Sequence, residues 1–193
     1  MSTITVSGST GIAAAQSGEI VQMVYGTNYS QGTKVFTAWN TFEEVPGNLR
    51  ATITPKSTSN KIIISAKLHW GGFYGTTDVA ANFRIMKSTN GGTSWSYVGN
   101  YNTDAGLGQQ ATIGVGTGLY RYNMGDTNAS SMGDNILMAD LNVTSTSSTI
   151  YAVHWACGYA PNTRTLYWNR TVNTSNAYNS THINTITLTE IKG

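Results

Sequence analysis

The chain has 193 residues, and its 11 Lys+Arg against 9 Asp+Glu leave a formal net charge of +2. That charge is too small and too scattered for a nucleic-acid footprint or for attraction to an anionic membrane. Charged residues are only 10% of the chain against roughly 25% in ordinary soluble domains, so hydroxyls and amides must carry solubility, and a hydrophobic fraction of 39% suffices for one core.

Taken in order, residues Met1 to Ser17 hold one short alternating piece, Ile4-Thr5-Val6, and then small residues. Nothing there buries a face alone. Such an end is either a disordered tail or an arm that orders on a neighbouring surface, and the β-branched Thr3 to Val6 favours the arm. The same end has neither a basic nor an apolar leader segment, and no stretch approaches the roughly 20 apolar residues of a membrane span, so the expectation is synthesis and folding in a cytoplasm without membrane insertion. Glu19 to Tyr25 reads as the first strand, and its two largely apolar faces point to an interior position or a subunit interface. Lys34 to Asn40 and Thr41 to Val45 are β-rich, and Pro46-Gly47-Asn48 makes a turn.

The clearest stretch is Arg50 to Trp70, which reads as strand, turn, strand and is expected to form a central hairpin. Ile62, Ile64, Ala66, Leu68 and Trp70 share one face and Ser65, Lys67 and His69 the other, the period of a sheet with one wet side. Pro55 closes the preceding strand and the Ser/Thr/Asn cluster makes the connection. Gly71 to Gly75 reads as a loop, too rich in glycine for a strand interior. Ala80 to Lys87 is the next strand, followed by Asn90-Gly91, which favours a tight hairpin. Gly99 to Gln110 reads as a loop, Ala111 to Tyr122 as a strand with small residues, and Asn123 to Asn135 as another loop. Strands are then expected over Ile136–Val143, Ile150–Cys157, Thr163–Val172 and Thr181–Ile191. About ten strands at this spacing fit a sandwich or barrel, and no segment has a helical period.

Few residues suggest chemistry. The lone Cys157 sits in an apolar run and reads as a core thiol. His69, His154 and His182 fall in predicted strands with no second ligand at metal-like spacing, so they read as structural and no metal or cofactor is expected. Asp78, Asp104, Asp126, Asp134 and Asp140 form no calcium pattern and are most simply solvated. A carboxylate pair such as Asp104 and Asp126 would be needed for a polysaccharide-degrading enzyme. Exposed aromatics can stack on sugars, which makes Phe73, Tyr74, Tyr97, Tyr101, Tyr120 and Tyr122 candidate glycan-binding residues; the plainer reading is that they fill the core and an interface. Ser88-Thr89-Asn90-Gly91-Gly92-Thr93-Ser94-Trp95 resembles the Asp-box of sialidase-like propellers, with Asn90 where that family has Asp. There the box is a structural hairpin repeated from blade to blade, and this chain has one copy.

The run Ala51 to Ile64 resembles a segment of virion surface proteins of tailed phages, particularly marine and cyanobacterial ones. The settings of Ser17 to Gln22, Phe83-Arg84-Ile85 and the threonine-rich Ile183 to Ile191 are similar too, as is the start Ile4 to Ile12. The resemblance implies a non-enzymatic, jelly-roll-like antiparallel β-sandwich knob, residues 20–193, usually trimeric and displayed on a virion as capsid decoration or head fibre. An N-terminal arm, residues 1–19, would anchor it to capsid or tail proteins through Thr3, Ile4, Thr5, Val6 and Ile12. Ile20, Val21, Met23 and Tyr25 would lie in the trimer interface. A receptor-binding tip recognising host surface polysaccharide is the alternative role.

Overall fold

The computed structural model describes residues 17–38, 41–73, 81–98, 132–157, 164–170 and 182–193. Among them the strands are β1 (Ile20–Asn28), β2 (Gly32–Phe36), β3 (Glu43–Glu44), β4 (Arg50–Ile53), β5 (Lys61–Phe73), β6 (Ala81–Ser88), β7 (Ser96–Tyr97), β8 (Met132–Asp140), β9 (Thr149–Cys157), β10 (Arg164–Trp168) and β11 (Asn184–Ile191), and no helix is present. They form two antiparallel sheets packed as a β-sandwich, so the all-β expectation holds. The arm residues Thr3, Ile4, Thr5, Val6 and Ile12 and the strand expected over Ala111 to Tyr122 lie outside the described residues.

The first sheet is built on β5. One edge of β5 pairs with β8 from Ile62 to Trp70. Its other edge pairs with β11 from Lys61 to Lys67 and then with β10 from Trp70 to Phe73, so β10 and β11 make one interrupted row. Beyond that row lies a second, in which β1 runs along β11 and β2 continues along β10. The interruption falls beside His69. There the Asn169 N–H donates to the His69 carbonyl at 2.9 Å, and the His69 N–H donates to Asn184 Oδ1 at 2.7 Å. Two asparagines thus complete the ladder where strand pairing stops, and Asn169 adopts the left-handed φ of 54° that this residue type tolerates.

In the second sheet β9 is central, with β3 and β4 on one edge and β6, then β7, on the other. The core between the sheets holds Ile53, Ile62, Ile64, Phe83, Ile85, Val153, Leu166, Ile186 and Leu188, with Trp70 edge-on to Phe83, Phe83 tilted against Trp168, and Trp168 edge-on to Trp155. Cys157 is buried there, as its apolar run implied.

The Arg50–Trp70 stretch is an arch, not a hairpin. β4 pairs with β9 in the second sheet and β5 lies in the first, so their apolar faces meet across the core. The connection carries no two-residue turn signal, which leaves both strands free to pair elsewhere. Its conformation is fixed from a distance by Glu190 of β11. That fully buried carboxylate accepts from the Lys56 N–H at 2.7 Å, Asn60 Nδ2 at 2.6 Å and Gln22 Nε2 at 2.5 Å. Burial pushes the Glu190 carboxyl up, but these donors outweigh it and hold the group below its ordinary value.

Two further expectations change. Gly71 to Phe73 continue β5, because pairing with β10 supplies the hydrogen bonds that a glycine-rich segment lacks the side chains to earn by packing. The loop expected up to Asn135 is strand from Met132, paired to β5. On one side of the sandwich β1 meets β4 so closely that a Cβ at Gly26 would collide with the Arg50 carbonyl. On the opposite side β7 and β8 are not paired with each other.

Candidate functional site

The outward face of the first sheet carries exposed apolar side chains. Register places Leu137, Ser65, Thr187 and Tyr25 in one row and Ala139, Ile63, Thr189 and Met23 in the next. A bulge at Val21 turns both Ile20 and Val21 to solvent. Tyr25 is 78% exposed, Leu137 69%, Ile20 63% and Met23 59%. The strand expected in the interior or at an interface is therefore an edge strand, and the interior alternative is overturned: β11 takes one of its edges and its outward side chains meet no other part of the described chain.

The outward face of the second sheet is covered. Arg84, Met86, Ser88, Ala152 and His154 point away from the core yet are buried. Trp95 lies over His154 with ring centroids 5.0 Å apart, and the Arg50 guanidinium sits 5.2 Å from the Trp95 ring. Arg50 is gripped by Glu44 through Nε and Nη2 at 2.5 and 2.6 Å. Arg84 is held between Phe42 at 3.7 Å and Tyr97 at 4.9 Å. The Ser88–Trp95 octet is what delivers Trp95: Ser88 Oγ accepts from the Gly92 N–H at 2.9 Å, and Asn90 Oδ1 accepts from the Ser94 N–H at 3.0 Å. Gly91 and Gly92 take φ of 72° and 90°. Asn90 thus fills the capping place of the Asp in the motif it resembles.

Where the two sheets part, between β7 and β8, a cleft of about 480 Å³ is lined by Lys87, Ser96, Tyr97, Ala139, Asp140, Leu141, Asn142 and Thr144. Lys87 and Asp140 form its floor with Nζ and Oδ2 2.6 Å apart. Asp140 is 2% exposed, against the solvated position expected of it. Its Oδ2 also accepts from the Tyr151 hydroxyl at 2.8 Å and its Oδ1 from the Asn142 N–H at 3.0 Å. Desolvation is the reason it is paired rather than solvated: β8 turns Asp140 inward in register with Ile62, where an unpartnered charge would be costly. Burial, and then the neighbouring Asp140, keep the Tyr151 hydroxyl protonated well above its ordinary range.

Of the predicted glycan-binding residues, Tyr97 stands at the cleft, in β7 and 46% exposed. Phe73 ends β5, whereas the cleft lies beside Asp140, which pairs with Ile62 at the start of that strand. At the rise of an extended strand the two ends are roughly 35 Å apart, so Phe73 and Tyr97 do not belong to one site. Tyr74, Tyr101, Tyr120 and Tyr122, and the carboxylates Asp104 and Asp126, lie outside the described residues. Among the described residues no three His, Cys, Asp or Glu side chains gather as a metal site. Lys87 and Asn142 carry no sequence signal for this site, and for Asp140, expected to be solvated, only the alternation of Ile136 to Asp140 points to the inward face.

No family model matches the chain. No curated protein matches it either. Among solved structures it is similar to a chain in the structure of the infectious bursal disease virus Gx strain, with 10% identity, a TM-score of 0.33, and coverage of 98% of this chain and 41% of that one. The chain thus spans less than half the length of that neighbour, and likeness of this degree does not extend to function.

Proposed function

We propose that this chain is a non-enzymatic structural protein of a tailed-phage virion, a trimeric β-sandwich knob displayed on the particle surface as capsid decoration or head fibre. It is made in the host cytoplasm, and its partners are further copies of itself and the capsid or tail proteins that receive the arm, residues 1–19. The observation that carries this reading is the bare face of β1. Ile20, Met23 and Tyr25 are each more than half exposed on the first strand after the arm. Contiguous apolar side chains on a soluble protein mark an interaction surface, and copies of one chain meet most economically in closed symmetric rings. The sequence resemblance of Ala51 to Ile64 and Ile183 to Ile191 to phage virion surface proteins supplies the class.

The test is antibody labelling of intact particles seen by electron microscopy, with copy number from mass spectrometry. Label over the whole head at high copy number is expected. A few copies confined to the tail would point to the receptor-binding tip instead, and unlabelled particles would end the virion reading.

A further inference from the structure

We propose that the cleft between β7 and β8 is a binding site for a neutral sugar ring. The inference goes beyond the structural role and is read on purified protein, so it stands or falls apart from how the knob is mounted. Four features lead to this ligand class. First, the floor is a matched ion pair, Lys87 with Asp140 at 2.6 Å, so the cleft offers no surplus charge to an anion or a cation. Second, it is polar and oriented. Lys87 donates to Asp140 and to the Asn142 carbonyl at 2.9 Å, which leaves the third N–H of its ammonium with no partner among the described residues. Ser96 and Thr144 add hydroxyls and Asn142 an amide beside it. Neutral hydroxyl groups, which both donate and accept, satisfy such a mixture, whereas an apolar occupant would strand it.

Third, the rim is apolar where the floor is not, with Leu141 70% and Tyr97 46% exposed. A pyranose has the same division, polar edges and C–H faces. Tyr97 pairs with Met86 and its hydroxyl accepts from Arg84 Nη1 at 2.9 Å, so its ring is fixed against Arg84 on the outward face of the second sheet while the residue borders the cleft. Fourth, a volume of about 480 Å³ lies within the roughly 300–1,000 Å³ of small-molecule sites. A tie between the sheets explains the Lys87–Asp140–Tyr151 contacts, but not a cleft of this volume or its two-sided lining.

The experiment is an NMR titration of the full-length protein with methyl glucoside, methyl galactoside, N-acetylglucosamine, maltose and lactose, and with glucuronate and N-acetylneuraminate as charged comparators. The expected result is saturable shifts at residues 87, 96–97 and 140–144 for at least one neutral sugar, with Kd on the order of 1 mM. Asn142→Ala and Leu141→Ser alter exposed side chains and leave the fold intact. Each should weaken binding at least about fivefold, a loss of about 1 kcal/mol, while Tyr29→Ala, away from the cleft, should not. The proposal is overturned by the absence of saturable shifts with every neutral sugar, by shifts confined to other residues, by tighter binding of the sugar acids, or by variants that bind like the parent.

Discussion

The two sheets of the sandwich treat their outward faces in opposite ways. On the second sheet the chain covers itself: Trp95 closes over His154, and Arg84 is held between Phe42 and Tyr97. On the first sheet a threonine ladder runs between Leu137 on one flank and Met23 and Tyr25 on the other, with no described residue stacked upon it. Both faces are made by alternating strands from one low-charge chain, so composition does not separate them. The difference lies in the connections. The β6–β7 hairpin folds its Trp back over its own sheet, whereas the outer strand β1 of the first sheet has no described segment folded over it. A face finished by its own chain contributes to stability, and a face left unfinished is available to another molecule.

Three changes would break or sharpen this contrast. The largest effect is expected on the covered face, where Trp95→Ala should cost about 2 kcal/mol in urea unfolding, since it removes a large half-buried ring from His154 and Arg50. A loss under about 0.5 kcal/mol would mean that the cover is decorative.

Acid separates the faces next. Burial, with His182 nearby, lowers His69 on the first sheet from 6.5 to about 4. Burial also lowers His154 on the second, against the pull of Glu44. Both are held toward the neutral form in the fold while the unfolded chain takes up protons below 6.5, so their contribution is complete above that pH and falls below it, that of His69 being lost as pH falls toward 4. Glu190, held below its ordinary 4.5, adds a further loss under that value. Urea midpoints across this range should fall with pH. In Trp95→Ala the fall should be shallower, because a hydrated His154 titrates nearer 6.5, and an unchanged slope would remove His154 from the account.

The smallest stability effect belongs to the bare face. Met23→Ser with Tyr25→Ser should change the unfolding free energy of the monomer by no more than about 0.5 kcal/mol while shifting sedimentation toward a single chain. A large loss of stability would show these residues to be core, and unaltered association would move the interface elsewhere.

Period-two alternation made the inward set of β5 readable, together with the all-β class and the positions of most strands. It could not name partners, because alternation fixes the face of a strand and says nothing of the strand beside it. Hence Arg50–Ile53 and Lys61–Trp70, adjacent in sequence and expected to pair, lie in opposite sheets. The contacts that settle the arch come from Glu190, 134 residues from Lys56 and 168 from Gln22. Such a buried carboxylate looks like any other Glu near a chain end. The cleft was half legible: Tyr97 stood out as an aromatic, but Lys87 and Asp140 are 53 residues apart and meet only when the sheets stack. The two-residue strand β7 was too short to carry a period at all.

The paired asparagines at the break between β10 and β11 bear on how such a chain can change over time. Asn169 and Asn184 both bind the backbone of His69, so the two ends of the intervening segment are moored to one peptide unit of the central strand. With both anchors held at one residue, the closure entropy of the chain between them grows by only about 0.6 kcal/mol for each doubling of its length. Chain length between the two anchors can therefore change at little cost to the sheet that they complete.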